Sequence, residues 1–130
     1  MNANPQVTFR TAYFEPLPGE DKETNPGRYG KQLAHWLGDR LKGRGVSVED
    51  IVPKDFGWII MVSTKPFSLW LSCGNTDGST TEWNVFPVAE SSTLQRLLRR
   101  VNPAPEIEKL RAHLAELVPS IPGVTNVTWE

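Results

Sequence analysis

The spacing of apolar and polar positions changes several times along this chain, and each change marks an element. The densest pattern is Phe56–Glu90, FGWIIMVSTKPFSLWLSCGNTDGSTTEWNVFPVAE, which holds three of the five tryptophans. Each tryptophan sits in its own run of β-branched and aromatic residues, so the segment predicts a three-stranded meander. If residues 63–66 close the first hairpin, Val62 pairs with Phe67, Ile60 with Leu69, Trp58 with Leu71 and Phe56 with Cys73. That face is wholly apolar and is assigned to the core, because side chains alternate strictly between the two faces of a strand. The opposite face carries Gly57, Ile59, Met61 and Ser63 with Ser68, Trp70 and Ser72 and is half polar. The third strand, Thr81–Ala89, fits either way round: Trp83 and Val85 can face the core, or Phe86 and Val88 can.

Outside the meander the period alternates between two and 3.6. Val7–Phe14 reads as a first strand, and residues 1–6 as a flexible N-terminus. Pro and Gly make Glu15–Gly27 a loop, long for a compact domain. Asn25-Pro26 offers a cap and a first-turn proline for helix one. Tyr29, Leu33, Trp36, Leu37 and Leu41 recur along that helix at helical spacing, and Gly43 or Gly45 ends it. Gly30, Ala34 and Gly38 lie four apart and form a smooth stripe for close packing on a sheet. Val46–Lys54 reads as a connector. Ser92-Thr93-Leu94-Gln95 fits a capping box before a short helix through Val101. Helix three spans Glu106–Val118 with Ile107, Leu110, Leu114 and Leu117 as its apolar stripe, and Val124–Trp129 is a last strand. The order β-α-β-β-β-α-α-β predicts an α+β fold: residues 7–130 as one domain, a two-layer sandwich of one mostly antiparallel sheet with helices on one face.

Composition narrows the function classes. With 130 residues, 38% hydrophobic and 22% charged, the chain fits one soluble globular domain with its own core. A net charge of −1 gives no electrostatic case for nucleic acid or an anionic membrane, and no apolar run approaches the ~20 residues of a membrane span. A lone cysteine, Cys73, cannot form an internal disulfide, which points to a reducing, cytoplasmic setting. No metal-ligand spacing, phosphate-binding glycine pattern or nucleophile–base pairing is present, so no metal or cofactor is expected. Cys73 lies at the end of an apolar strand, and the two histidines, His35 and His113, lie on helices. Arg96, Arg99 and Arg100 form a small basic cluster on the short helix.

Two surfaces can carry a function. The first is the half-polar sheet face, where Trp70 stands among Ser68 and Ser72 beside Ile59 and Met61. An aromatic among small polar residues suits a binding hot spot for a protein partner or a second copy of the chain. The acidic loop residues Glu20, Asp21 and Glu23 are expected to orient that partner. The second is a pocket between helix one and the sheet, lined by Tyr29, His35 and Asn75 with Ser72, which would hold a small ligand or substrate. The outline, a compact tryptophan-bearing α+β domain without a catalytic signature, resembles small bacterial proteins, immunity proteins among them. That resemblance implies a protein-binding role and transfers no residue.

Overall fold

The computed structural model describes residues 5–90 and 102–130. The strands are β1 (Val7–Arg10), β2 (Asp50–Lys54), β3 (Gly57–Ser63), β4 (Ser68–Asn75), β5 (Glu82–Glu90) and β6 (Thr125–Trp129). The helices are α1 (Lys31–Gly43) and α2 (Ala104–Leu117), with 3-10 turns at Glu20–Lys22 and Val118–Ser120. All six strands join one sheet in the order β2-β3-β4-β5-β1-β6, and every neighbouring pair is antiparallel. The α+β architecture and the order of elements are those expected, with β2 as an addition inside the stretch read as a connector. The capping box at Ser92, the short helix it opens and the Arg96–Arg100 cluster lie outside the described residues, as do Met1–Asn4. Among the described residues no helix is long and apolar enough to cross a membrane.

One row of paired residues, Pro53–Trp58–Cys73–Val85–Val7–Trp129, crosses the whole sheet on its inward face. Beside it run Ile60 and Leu71, both fully buried. Leu33, Ala34, Leu37 and Leu41 of α1 and Leu110, Leu114 and Leu117 of α2 close over that face to form one core. The 3.6-residue period puts these side chains on one side of each helix. Each large apolar side chain so buried contributes roughly 1.5–3 kcal/mol. Trp83 belongs to this core at 1% exposure, and its indole N–H donates to the Thr11 carbonyl at 3.1 Å. The fifth strand therefore turns Trp83 and Val85 inward and Phe86 and Val88 outward.

The hairpin register is displaced by two residues from the simplest loop closure. Ile60 faces Leu71 and Trp58 faces Cys73, with a bulge between Met61 and Ser63. A shift of two preserves the faces, since the side-chain period is two. Phe56 is the exception to the expected core face. It lies in the two-residue turn between Lys54 and Gly57, outside the alternation, and is 42% exposed. The first strand is also shorter than its pattern. The Thr11 hydroxyl donates to the Pro122 carbonyl at 2.7 Å and accepts the Tyr13 N–H at 3.1 Å, turning the chain away from the sheet.

Helix α1 starts at Lys31, not at Asn25-Pro26. The Asn25 carbonyl accepts the Arg28 N–H at 2.9 Å, which makes that segment a turn. The helix N-cap is Gly30, which has no side chain to cap with. Glu20 supplies the missing acceptor from ten residues away: one carboxylate oxygen takes the N–H groups of Gly30 (2.8 Å) and Lys31 (2.9 Å), and the other takes that of Leu17 (3.0 Å). A carboxylate here satisfies orphan donors and lies at the favourable end of the helix dipole. At the other end, Val46 N–H bonds the Leu41 carbonyl and Gly45 N–H bonds that of Lys42, the paired bonds of a Schellman motif.

The glycine of that N-cap is also required by packing. A Cβ at Gly30 (φ +152°) would lie 2.6 Å from the Cys73 carbonyl oxygen, and one at Gly57 (φ +149°) would lie 2.7 Å from the same atom. Gly43, in the last turn of α1, has nothing within 4 Å of an added Cβ. The same substitution should therefore have opposite signs at two positions. Gly30→Ala is expected to destabilise by about 2–4 kcal/mol, and Gly43→Ala to stabilise by about 0.5 kcal/mol, in urea unfolding. Glu20→Ala leaves three N–H donors without their acceptor and is expected to cost about 2–4 kcal/mol, with Glu20→Gln costing roughly half of that. A loss below about 0.5 kcal/mol for Glu20→Ala would show that the carboxylate does not hold the helix start.

Candidate functional site

Both described helices pack on one side of the sheet, so the other side is the place to look for function. Strand pairing sets its residues in two rows. Val52, Ile59, Ser72 and Phe86 form one, and Asp50, Met61, Trp70 and Val88 form the next. Directly opposed residues of antiparallel strands share a face and stand close enough to touch. The result is an apolar centre over β2–β5, with Trp70 near its middle.

The turn residue Phe56 completes this centre. Its ring stacks on Trp70 with centroids 6.3 Å apart and planes 25° apart, an offset-stacked arrangement. The two rings border a shallow depression of about 260 Å³, lined also by Ile59, Met61, Ser68, Lys54 and Glu90. Ile59 is only 3% exposed, and Ser72 only 2%. Those two residues are therefore floor and support. Trp70, Phe56 and Met61 present the accessible apolar surface, with Ser68 at its polar end. Lys54 and Glu90 are exposed at the rim, and among the described residues neither has an ion-pair partner.

Of the acidic loop residues expected to orient a partner, Glu20 is turned inward, which corrects that expectation for it. Glu20 is 2% exposed and its carboxylate is occupied by the three amides described above. Asp21 accepts the Gly27 N–H at 3.1 Å, and Glu23 pairs with Lys31 at 3.5 Å. Glu20 and Asp21 thus fold the loop onto the start of α1, and Glu23 remains exposed.

The residues considered for a ligand pocket do not converge either. The space between α1 and the sheet is filled by Leu33, Ala34, Leu37, Leu41, Ile60 and Leu71, all at zero exposure. Asn75 is a structural tie. Its Oδ1 accepts the Tyr29 N–H at 3.0 Å, and its Nδ2 donates to the carbonyls of Gly27 (2.9 Å) and Ser79 (2.7 Å). His35 lies on the outer side of α1 beside Tyr13, Gln32 and Trp36, and Ser72 points to the opposite face of the sheet. Trp58 is buried at 2%, and Trp36 is half-buried with the Arg40 guanidinium 3.9 Å from its ring. His113 accepts a hydrogen bond from Arg44 at 2.8 Å.

Sequence patterns left four members of the outward face unassigned. Phe56 was hidden by the tight turn, for which the following glycine was the only signal. Val52 lay on an unrecognised strand. Phe86 and Val88 alternate with Trp83 and Val85, and the two sets are equally apolar. No protein-family model, no curated protein and no solved structure matches the chain.

Cys73 is fully buried, and burial pushes its thiol far above the ordinary range, so it is not held as a thiolate. The folded protein is expected to show no reaction with a thiol reagent such as DTNB over an hour at pH 8, and one equivalent after denaturation. Rapid reaction of the native protein would refute this assignment.

Proposed function

We propose that this protein is an interaction module that binds a protein partner through the helix-free sheet face centred on Trp70. The observation that carries the reading is the stacked Phe56–Trp70 pair over Ile59 and Met61, left open on the one side of the sheet that the described helices do not cover. Burying such a pair removes apolar area from water at about 25 cal/mol per Å². Aromatic side chains at the centre of a patch, ringed by polar groups, are where binding energy concentrates. The polar ends of the face fit this arrangement: Ser68 and Glu90 close one end, Lys54 another, and the Arg10–Glu82 pair (3.0 Å) flanks β1. The depression is too shallow to enclose a small molecule on most sides, and this favours a broad partner surface over a small ligand.

The test separates the rim and the surface from the floor. Trp70→Ala and Met61→Lys change exposed contacts, while Ile59 is part of the packed layer and is left intact. Each variant is compared with the unaltered chain in capture experiments and in sizing, with thermal melts as the folding control. Trp70→Ala is expected to weaken association about thirtyfold or more, as hot-spot aromatics do. If both variants fold and associate with everything, including themselves, as the original does, the reading is lost.

A further inference from the structure

We propose that the occupant of the Trp70 face is a second copy of this chain, docked face to face about a two-fold axis. The inference rests on the interaction reading above and commits it to one partner. Its support is the placement of charge. Lys54 ends β2, beside Gly57 of β3, whereas Glu90 ends β5, beside Ser68 of β4. Because β3 and β4 are antiparallel and lie between β2 and β5, the two charges stand at diagonally opposite corners of the same depression. Both are exposed and have no ion-pair partner among the described residues.

The same face also carries Asp50, exposed at the β2 end of the Met61–Trp70 row, whose Oδ1 accepts the neighbouring Ile51 N–H at 2.9 Å. Lys54 and Glu90, on opposite sides of the apolar centre, are complementary to each other across a two-fold axis. A two-fold axis lying in the interface, crossing the Met61–Trp70 pair and perpendicular to the Lys54–Glu90 diagonal, performs the match. It brings Lys54 against Glu90 of the second copy and Glu90 against Lys54 of the second copy. One symmetry operation thus makes two ion pairs, which is the character of an isologous contact. It also sets the two Phe56–Trp70 stacks into one central cluster, at the ~10 Å separation of packed sheets. Apolar residues at the centre with charges at the rim is the usual anatomy of an interface.

The area sets the strength. Six strands about 4.8 Å apart and about 20 Å long give a flat face of roughly 600 Å² per copy. This lies just below the ~800 Å² per partner of a standard stable complex. The dimer is accordingly expected to dissociate in roughly the micromolar range, and to be visible only when concentration is varied.

The experiment is sedimentation equilibrium over about three decades of concentration spanning the micromolar range, on the full chain. The original protein is expected to pass from monomer to dimer. Lys54→Glu and Glu90→Lys each turn both ion pairs into repulsions, and each is expected to raise the dimer Kd at least about tenfold. An equimolar mixture of these two variants restores both attractions, because Glu at 54 meets Lys at 90 and Lys at 54 meets Glu at 90. The mixture is expected to recover an affinity within about threefold of the original. Both sites are exposed, so thermal melts should match the original chain. An original chain that stays monomeric throughout overturns the inference, and so does a mixture that associates no better than its components. If self-association is absent while Trp70→Ala abolishes capture of another protein, the inference falls and the interaction reading stands. If Trp70→Ala also changes nothing, both fall.

Discussion

Two glycines, Gly30 and Gly57, approach the carbonyl of Cys73 so closely that neither position has room for a methyl group. This carbonyl lies where the start of α1 and the start of β3 both meet β4. The contact sets how near the helix layer comes to the sheet, and the remaining inward geometry follows from it. Ala34 continues the smooth stripe at zero exposure, and a Cβ at Gly38 would come 2.9 Å from the Ile51 side chain. With the helix held this close, Leu33, Leu37 and Leu41 fill the layer between α1 and the sheet at zero exposure. A chain that spends its helix start on a close approach cannot also place a capping side chain there. That is why the acceptor for the first helical amides comes from a distant carboxylate.

The faces of the hairpin were legible because they depend only on parity. An error of two residues in register leaves every side chain on the correct side. The apolar stripes of α1 and α2 were legible for a similar reason, since the helical period survives uncertainty at the ends. What was not legible depended on long-range partners. Asn25-Pro26 carries the local signal of a helix start, but Glu20 and the Cys73 carbonyl move the start to Lys31. Glu20 itself looked like surface charge, and nothing local marks it as buried. β2 is short, half polar and contains Pro53, so its apolar residues gave no clear alternation. Pro53 is tolerated there because β2 is an edge strand.

The candidate site follows from this one-sided packing. Both described helices, the 3-10 turn after α2 and the side chain of Phe14 gather on the inward face, and among the described residues the outward face is built by the strands and their turns. Trp83 had been the open position, and its hydrogen bond to the Thr11 carbonyl explains its side. A buried indole N–H gains from an acceptor, and Thr11, just past β1, supplies one to Trp83, whereas the indole N–H of buried Trp58 has none. The outward face thus carries one tryptophan, and Phe56 takes the place a second would have had. Its aromatic cover comes from a turn, so it sits above the sheet and does not lengthen a row within it.

The Glu20 carboxylate has a consequence for motion. Three amides, on Leu17, Gly30 and Lys31, depend on two oxygens of one side chain. One side chain therefore joins the turn at Leu17 to the first turn of α1, while Asn75 separately holds Gly27 and Tyr29. Withdrawing the carboxylate exposes all three amides at once, and no one of them opens through loss of that acceptor while the other two stay held. The amides of Leu17, Gly30 and Lys31 should then share one opening event, with a common protection against solvent despite the proline and glycine that make the loop look loose.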